Sequence, residues 1–219
     1  VRRLSIRGGT FTGVGKEGDT PLGDTLNIII VNAAPVSRSY FGDKFDPNKS
    51  TAPICWSDDT QRPSIKVSED NIQARRCMDC TQNVRGSGEN GGRACRFQQR
   101  LAIVFEGDLD EVYQLQIPAS SIFGRVVNGN MGMQEYARHL SAHDTSVTSV
   151  VTNVTFDKDS VVPKLYFKPM RPIHASMASD ISAMVVHEDT KRAITSFVPV
   201  TSEPSPFDKV AGGFDVNAN

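Results

Sequence analysis

The apolar residues of this chain fall into short runs, and most of the runs have strand texture. "LNIIIVNAA" (26–34) is continuous and β-branched, the pattern of a buried strand. Before it, "LSIRGGTFTGV" (4–14) reads as a first strand broken by glycines, and "KEGDTPLGD" as a turn-rich loop. Beyond residue 100 strict alternation takes over. Leu101, Ile103 and Phe105 share one face, "EGDLDE" makes a hairpin-like turn, and Tyr113, Leu115 and Ile117 share the next face. Met133, Tyr136, Ala137 and Leu140 follow helical spacing and predict a helix in "MGMQEYARHLSAHD". "VVTNVTF" alternates Val150, Thr152, Val154 and Phe156, and "KLYFKP" sets Leu165 and Phe167 opposite Tyr166. Met177, Ile181, Met184 and Val185 predict a second, weaker helix, with "AITSFVPV" as a last strand.

Between Pro35 and Arg100 the texture changes. Apolar residues thin out, and Pro, Asp, Ser, Gly and Arg dominate. So long a stretch without periodicity is functional, disordered, or ordered by something other than an apolar core. The whole pattern predicts a mainly β (α+β) protein of about six short strands, with a helix between the middle strands and a long insertion. An OB-like, partly open β-barrel fits this inventory, and other α+β arrangements fit nearly as well. We expect one domain over 1–200, an insertion at 35–100, and a flexible tail at 201–219. The tail carries Glu203, Asp208 and Asp215 with Phe207 and Phe214 against Lys209, a weak version of an acidic partner-recruiting tail.

Composition narrows the function classes. At 219 residues with 38% hydrophobic content, the chain can bury a real core without disulfides. Its net charge of -1 selects no partner, so any polyanion surface must come from local clustering. No apolar run approaches the roughly 18 residues of a membrane span. The start, "VRRLSIRGG", lacks the apolar segment of a secretory signal. The expectation is therefore a cytoplasmic protein (host-cell cytoplasm if viral) with reduced thiols and no membrane partner.

All four cysteines fall in the insertion: Cys55, Cys77, Cys80 and Cys95. One C-x2-C pair makes a tight thiolate knuckle, and two more cysteines complete a tetrahedral set for a structural Zn²⁺. Metal binding would supply the folding free energy that the missing apolar residues do not. Gly86, Gly88, Gly91 and Gly92 would let the backbone turn back on itself. Two disulfides, a redox C-x-x-C and an iron–sulfur cluster are the competing readings. The first needs a secreted protein, and the second needs a thioredoxin-like unit that the pattern does not show.

The same insertion is locally basic. Residues 75–100 hold Arg75, Arg76, Arg85, Arg93, Arg96 and Arg100 against Asp79 and Glu89. Such concentration is the electrostatic footprint of a polyanion site, and arginine both forks onto phosphate and stacks on bases. "SRSYFGDKF" interleaves Arg38, Tyr40, Phe41, Lys44 and Phe45, and Trp56 and Phe97 lie nearby. Cations interleaved with rings suit single-stranded nucleic acid, which needs a groove for phosphates and platforms for bases. The competing view makes the rings plugs against the barrel and the arginines solvated charge.

"APICWSDDTQRPS" followed by "CMDCTQNVRGSGENGGRACRFQQRLAIVFEG" resembles a group of tailed-bacteriophage proteins regarded as single-stranded DNA-binding replication proteins. Their pattern runs P-x-C-x-S-x-D, then C-x-x-C-P-x-N-x-x-G-S, then A-C-[RK] and an apolar strand. "IRGGTF" and "VVTNVTFDKDS…PKLYFKP" extend the likeness over most of residues 4–170. Thr81 stands where proline is usual, which alters the knuckle turn but no ligand. The resemblance implies an OB-like fold and a structural metal, and it favours single-stranded DNA as partner; phage replication or transcription proteins are further expected partners. No small-molecule substrate is expected.

Other signals carry less. "GSGENG" lies between cysteines, not after a strand, so a dinucleotide site is not expected. His139 and His143 are one helical turn apart but lack the glutamate of a zincin. Glu106, Asp108, Asp110 and Glu111 cluster in a turn, as carboxylates of a two-metal nuclease would. No catalytic constellation emerges. The leading expectation is a non-enzymatic single-stranded DNA-binding protein. A zinc-bearing protein–protein adaptor and a metal-dependent nuclease are the alternatives.

Overall fold

The computed structural model describes residues 1–15, 18–42 and 52–195. Lys44, Phe45 and the acidic tail lie outside the described residues.

The described residues form ten strands and four α-helices. The strands are β1 (Arg2–Ser5), β2 (Phe11–Gly15), β3 (Gly18–Gly23), β4 (Thr25–Ala33), β5 (Ser37–Tyr40), β6 (Cys55–Ser57), β7 (Arg96–Phe105), β8 (Asp108–Pro118), β9 (Val150–Phe156) and β10 (Leu165–Pro172). The helices are α1 (Ala119–Ile122), α2 (Met133–Ala142), α3 (Ala178–Val186) and α4 (Glu188–Ile194). Eight strands form one curled, open, mixed sheet in the order β10-β9-β4-β7-β8-β1-β2-β3. β1 runs parallel to β8, and the other pairings are antiparallel. β5 pairs with the start of β7, and β6 pairs with β5. The mainly β, barrel-like expectation holds at this level.

The sheet is buried on both faces in its middle. One face packs Ile28, Ile30, Leu101, Ile103, Leu115 and Ile117 against Met133, Tyr136 and Leu140 of α2. The other packs Ile29, Val31, Ala102 and Val104 against Ile181 of α3 and Ala193 of α4. This explains the unbroken apolar run in β4, since a strand covered on both sides has no polar face. Each large side chain so buried contributes about 1.5–3 kcal/mol. Gly132, just before α2, permits close packing there, because a Cβ would come within 3.1 Å of the Ile122 carbonyl oxygen.

Two expectations are corrected. "GDTPLG" is not loop but strand β3, which pairs with β2 and is an edge among the described residues, a position where Pro21 is tolerated. Ala193 and Ile194 belong to helix α4, not to a last strand. The charge order of "HEDTKRAI" carries that signal. His187 caps Asp189 N–H, acids fill the first turn, and Lys191 and Arg192 fill the last, each opposing the helix dipole. The rest of the expected strand, from Ser196, lies outside the described residues.

Candidate metal and nucleic-acid site

Residues 52–95 form a lobe beside the open sheet. Its regular structure is β6 and short 3-10 turns, among them Cys77–Asp79 and Thr81–Asn83. Apart from Pro53, its buried apolar side chains are Trp56, Val67 and the four cysteines. A lobe of this length cannot be held by so small an apolar cluster alone.

Backbone bonds fasten each cysteine. Cys55 opens β6 opposite Tyr40. Cys77 N–H donates to the Gln61 carbonyl at 2.9 Å, and Cys80 N–H to the Cys77 carbonyl at 3.4 Å. Asn83 closes the knuckle, its side-chain amide donating to the Cys77 carbonyl at 3.1 Å and its N–H to the Cys80 carbonyl at 3.0 Å. Cys95 N–H donates to the Gln82 carbonyl at 2.8 Å. The glycine ribbon between them is forced. Gly86 has φ of +88°, and a Cβ on Gly88 would sit 2.7 Å from the Ala94 nitrogen. The "PICWSDD" element is likewise structural: Pro53 and Ser57 are buried, and Ser57 Oγ donates to Asp59 at 3.0 Å. Asp59 also accepts from the Gln61 and Arg62 amides, which hold its carboxyl below the usual range.

The four thiols are free and buried. Burial pushes the Cys95 thiol up to about 12, with Arg38 opposing and Cys80, Cys77 and Cys55 adding to the rise. Burial also raises Cys55, where the Gln73 amide favours the thiolate and Cys77 and Cys80 oppose it. The sulfurs are therefore electrostatic neighbours. Among the described residues, no group of three or more His, Cys, Asp or Glu side chains already has the arrangement of a metal site. Only the chemistry of the donors speaks for a soft divalent metal: four free, buried thiols in one lobe, with an amide favouring the thiolate of Cys55 and the Arg38 cation favouring that of Cys95.

The expected nucleic-acid residues divide by exposure. Arg75, Arg76, Arg85, Arg93 and Arg96 are exposed on the lobe, and Phe41 is 37% exposed at its edge. Arg76 pairs with Asp79 at 3.4 Å, Arg96 with Glu89 at 3.8 Å, and Arg93 Nε donates to the Asn83 carbonyl at 2.7 Å. Among the described residues no carboxylate pairs with Arg75 or Arg85. Trp56 and Arg100 are corrections: at 7% and 5% exposed they are interior residues, not open contacts. Trp56 belongs to the lobe's small core, and Arg100 is buried deeply enough that desolvation lowers its pKa. Tyr40 is half-buried against that core. Phe97 is half-buried between Phe123, edge-on at 5.3 Å, and the Arg38 guanidinium at 4.1 Å.

The remaining clusters have structural partners. Glu106 pairs with Arg171, and Glu111 with Arg2 at 2.8 Å. His139 and His143 lie with ring centroids 4.5 Å apart, and His143 Nδ1 meets the His139 carbonyl at 2.7 Å. Sequence reasoning missed exposed apolar residues among the lobe's cations: Ile65, Ile72, Met78 and Val84. Among the described residues no helix is long and apolar enough to cross a membrane. No family model, curated protein or solved structure matches this chain.

Proposed function

We propose that this protein binds single-stranded DNA without catalysing a reaction on it, through an OB-like sheet and a lobe ordered by one structural Zn²⁺. The observation that carries the reading is the exposure of five arginines on and beside a lobe that has almost no apolar core. Arg75, Arg76, Arg85, Arg93 and Arg96 are each exposed, and the Phe41 ring is 37% exposed. Exposed arginines track phosphates, and an exposed ring gives a base a stacking surface. Zn²⁺ held by Cys55, Cys77, Cys80 and Cys95 would supply the order that three apolar side chains cannot. Cysteine sulfurs re-aim by χ1 rotation, so the buried thiols can close on a metal once it is present.

Fluorescence anisotropy with labelled oligo(dT), duplex DNA and RNA at two salt concentrations tests this. Tight oligo(dT) binding that weakens with salt supports it. Absence of binding to all three moves a zinc-bearing protein–protein adaptor to first place. That second reading has its own support. Ile65 is 100% exposed, Met78 64% and Val84 60%, and apolar groups presented to solvent suit a protein partner. Degradation of DNA with added Mg²⁺ or Mn²⁺ would instead mark a nuclease.

A further inference from the structure

A half-open groove of about 530 Å³ lies between α2 and β10. Glu135, Arg138, His139 and Ala142 recur at helical spacing and form one wall. Lys168 and Pro169 of β10 form the other, and the buried Met131 also lines the groove. Backbone pairing fixes this frame. Met131 and Phe167 exchange two backbone hydrogen bonds, at 3.3 and 2.8 Å. Val127 and Asn130 bridge across an Asn-Gly turn with positive φ at both Asn128 and Gly129, the conformation such two-residue turns require. The volume falls within the roughly 300–1,000 Å³ of small-ligand sites, and a frame held by backbone bonds needs little ordering when a ligand enters.

The lining chemistry narrows the occupant. Val126, Met131, Ala142 and Pro169 are apolar. Glu135 is the one carboxylate of the lining, and Arg138 holds it at 3.0 Å. Lys168 is exposed and has no carboxylate partner among the described residues, and the same is true of Arg125 beside Val126. Apolar walls with surplus positive charge at the rim suit a flat ring joined to an anion, which is the make-up of a nucleotide. The surface also continues past the groove. Phe123, Arg125, Val126 and Val127 are all exposed. Phe123 meets Phe97 edge-on at 5.3 Å, and Phe97 lies next to Arg96 at the start of β7. Apolar groups and cations thus lead from the groove, through Phe123, to the strand that begins with an exposed arginine beside the lobe. A ligand longer than one nucleotide matches that continuity.

From this geometry we infer that the groove between α2 and β10 seats one nucleotide of the single strand whose phosphates the lobe contacts, its apolar walls taking the base and Arg125 and Lys168 its phosphates. The inference rests on the single-stranded DNA reading above and requires no metal.

The test titrates full-length wild type, Val126→Trp and the double variant Arg125→Ala, Lys168→Ala with oligo(dT) of increasing length. Wild-type affinity should rise in a step once the strand is long enough to reach the groove. Val126→Trp places a large ring at the groove wall, at a residue 50% exposed. It should lose that step, weakening long oligomers about tenfold, with short oligomers and the salt slope unaffected. The double variant should lower the magnitude of the long-oligomer salt slope by about 0.7 for each cation removed, again sparing short oligomers. Variants that match wild type at every length overturn the inference while the lobe's own binding stands. Equal weakening at every length also overturns it, because that marks general damage and not a nucleotide seat. A wild type that binds no oligo(dT) fails the single-stranded DNA reading itself. An acidic peptide that wild type binds and Val126→Trp does not, with oligo(dT) binding equal in the two, would overturn the inference and assign the groove to a protein. Should Val126→Trp not fold, the double variant, altered only at exposed positions, carries the same comparison and the same overturning results.

Discussion

The Tyr136 hydroxyl of α2 and Thr152 Oγ1 of β9 meet at 2.7 Å where neither side chain has any exposure. This bond ties the helix to the sheet. Tyr136→Phe should cost about 1–3 kcal/mol in chemical denaturation, because Thr152 is left without a partner. Adding Thr152→Val should recover most of that loss, since both polar groups are then gone. A double variant as unstable as the two single losses added together would show that the bond does not couple these sites.

Protein produced under reducing conditions should carry one Zn²⁺ per chain by elemental analysis. Cys80→Ser should lose the metal and raise amide exchange over 52–95, while the sheet core stays protected. Metal-free wild type, or a pair of disulfides in such material, would end the zinc reading.

Charge and ring effects should separate on the lobe. Arg75→Ala and Arg85→Ala should each lower the magnitude of the log–log salt slope by about 0.7. Phe41→Ala should weaken oligo(dT) binding by about 1–3 kcal/mol with the slope unchanged. Trp56→Ala should act differently, destabilising the lobe through the loss of its largest buried ring. Wild-type binding and slope in a combined Arg75→Ala, Arg85→Ala protein would clear this face of phosphate contacts.

Without metal, the lobe should weaken in alkali. Burial raises the Cys95 thiol to about 12 in the folded protein. A raised pKa means the folded state holds its proton more tightly. That stability is fully present below the unfolded value, near 8.5, and is lost as pH rises through the folded value. Denaturation of the metal-free protein from pH 8 to 11 should therefore show falling stability. A flat profile would place Cys95 in water.

Local pattern determined the elements whose burial repeats along the chain. The alternation of β8, the helical spacing of α2 and the all-apolar centre of β4 each imply one kind of backbone, whatever packs against it. The concentration of all four cysteines in an apolar-poor insertion was equally legible, because it is a property of composition. Tertiary structure alone decided which residues of that insertion face water. Trp56 and Arg100 have the same letters as surface contacts, but where β5 joins β6 to β7 they are only 7% and 5% exposed. Arg38 acquires its place between Ser57 and Phe97 from a register across three strands far apart in sequence. The parallel contact of β1 with β8 is of the same kind. Periodicity reports the face of a single segment. Which distant segment covers that face is set by chain pairing, and no local window records it.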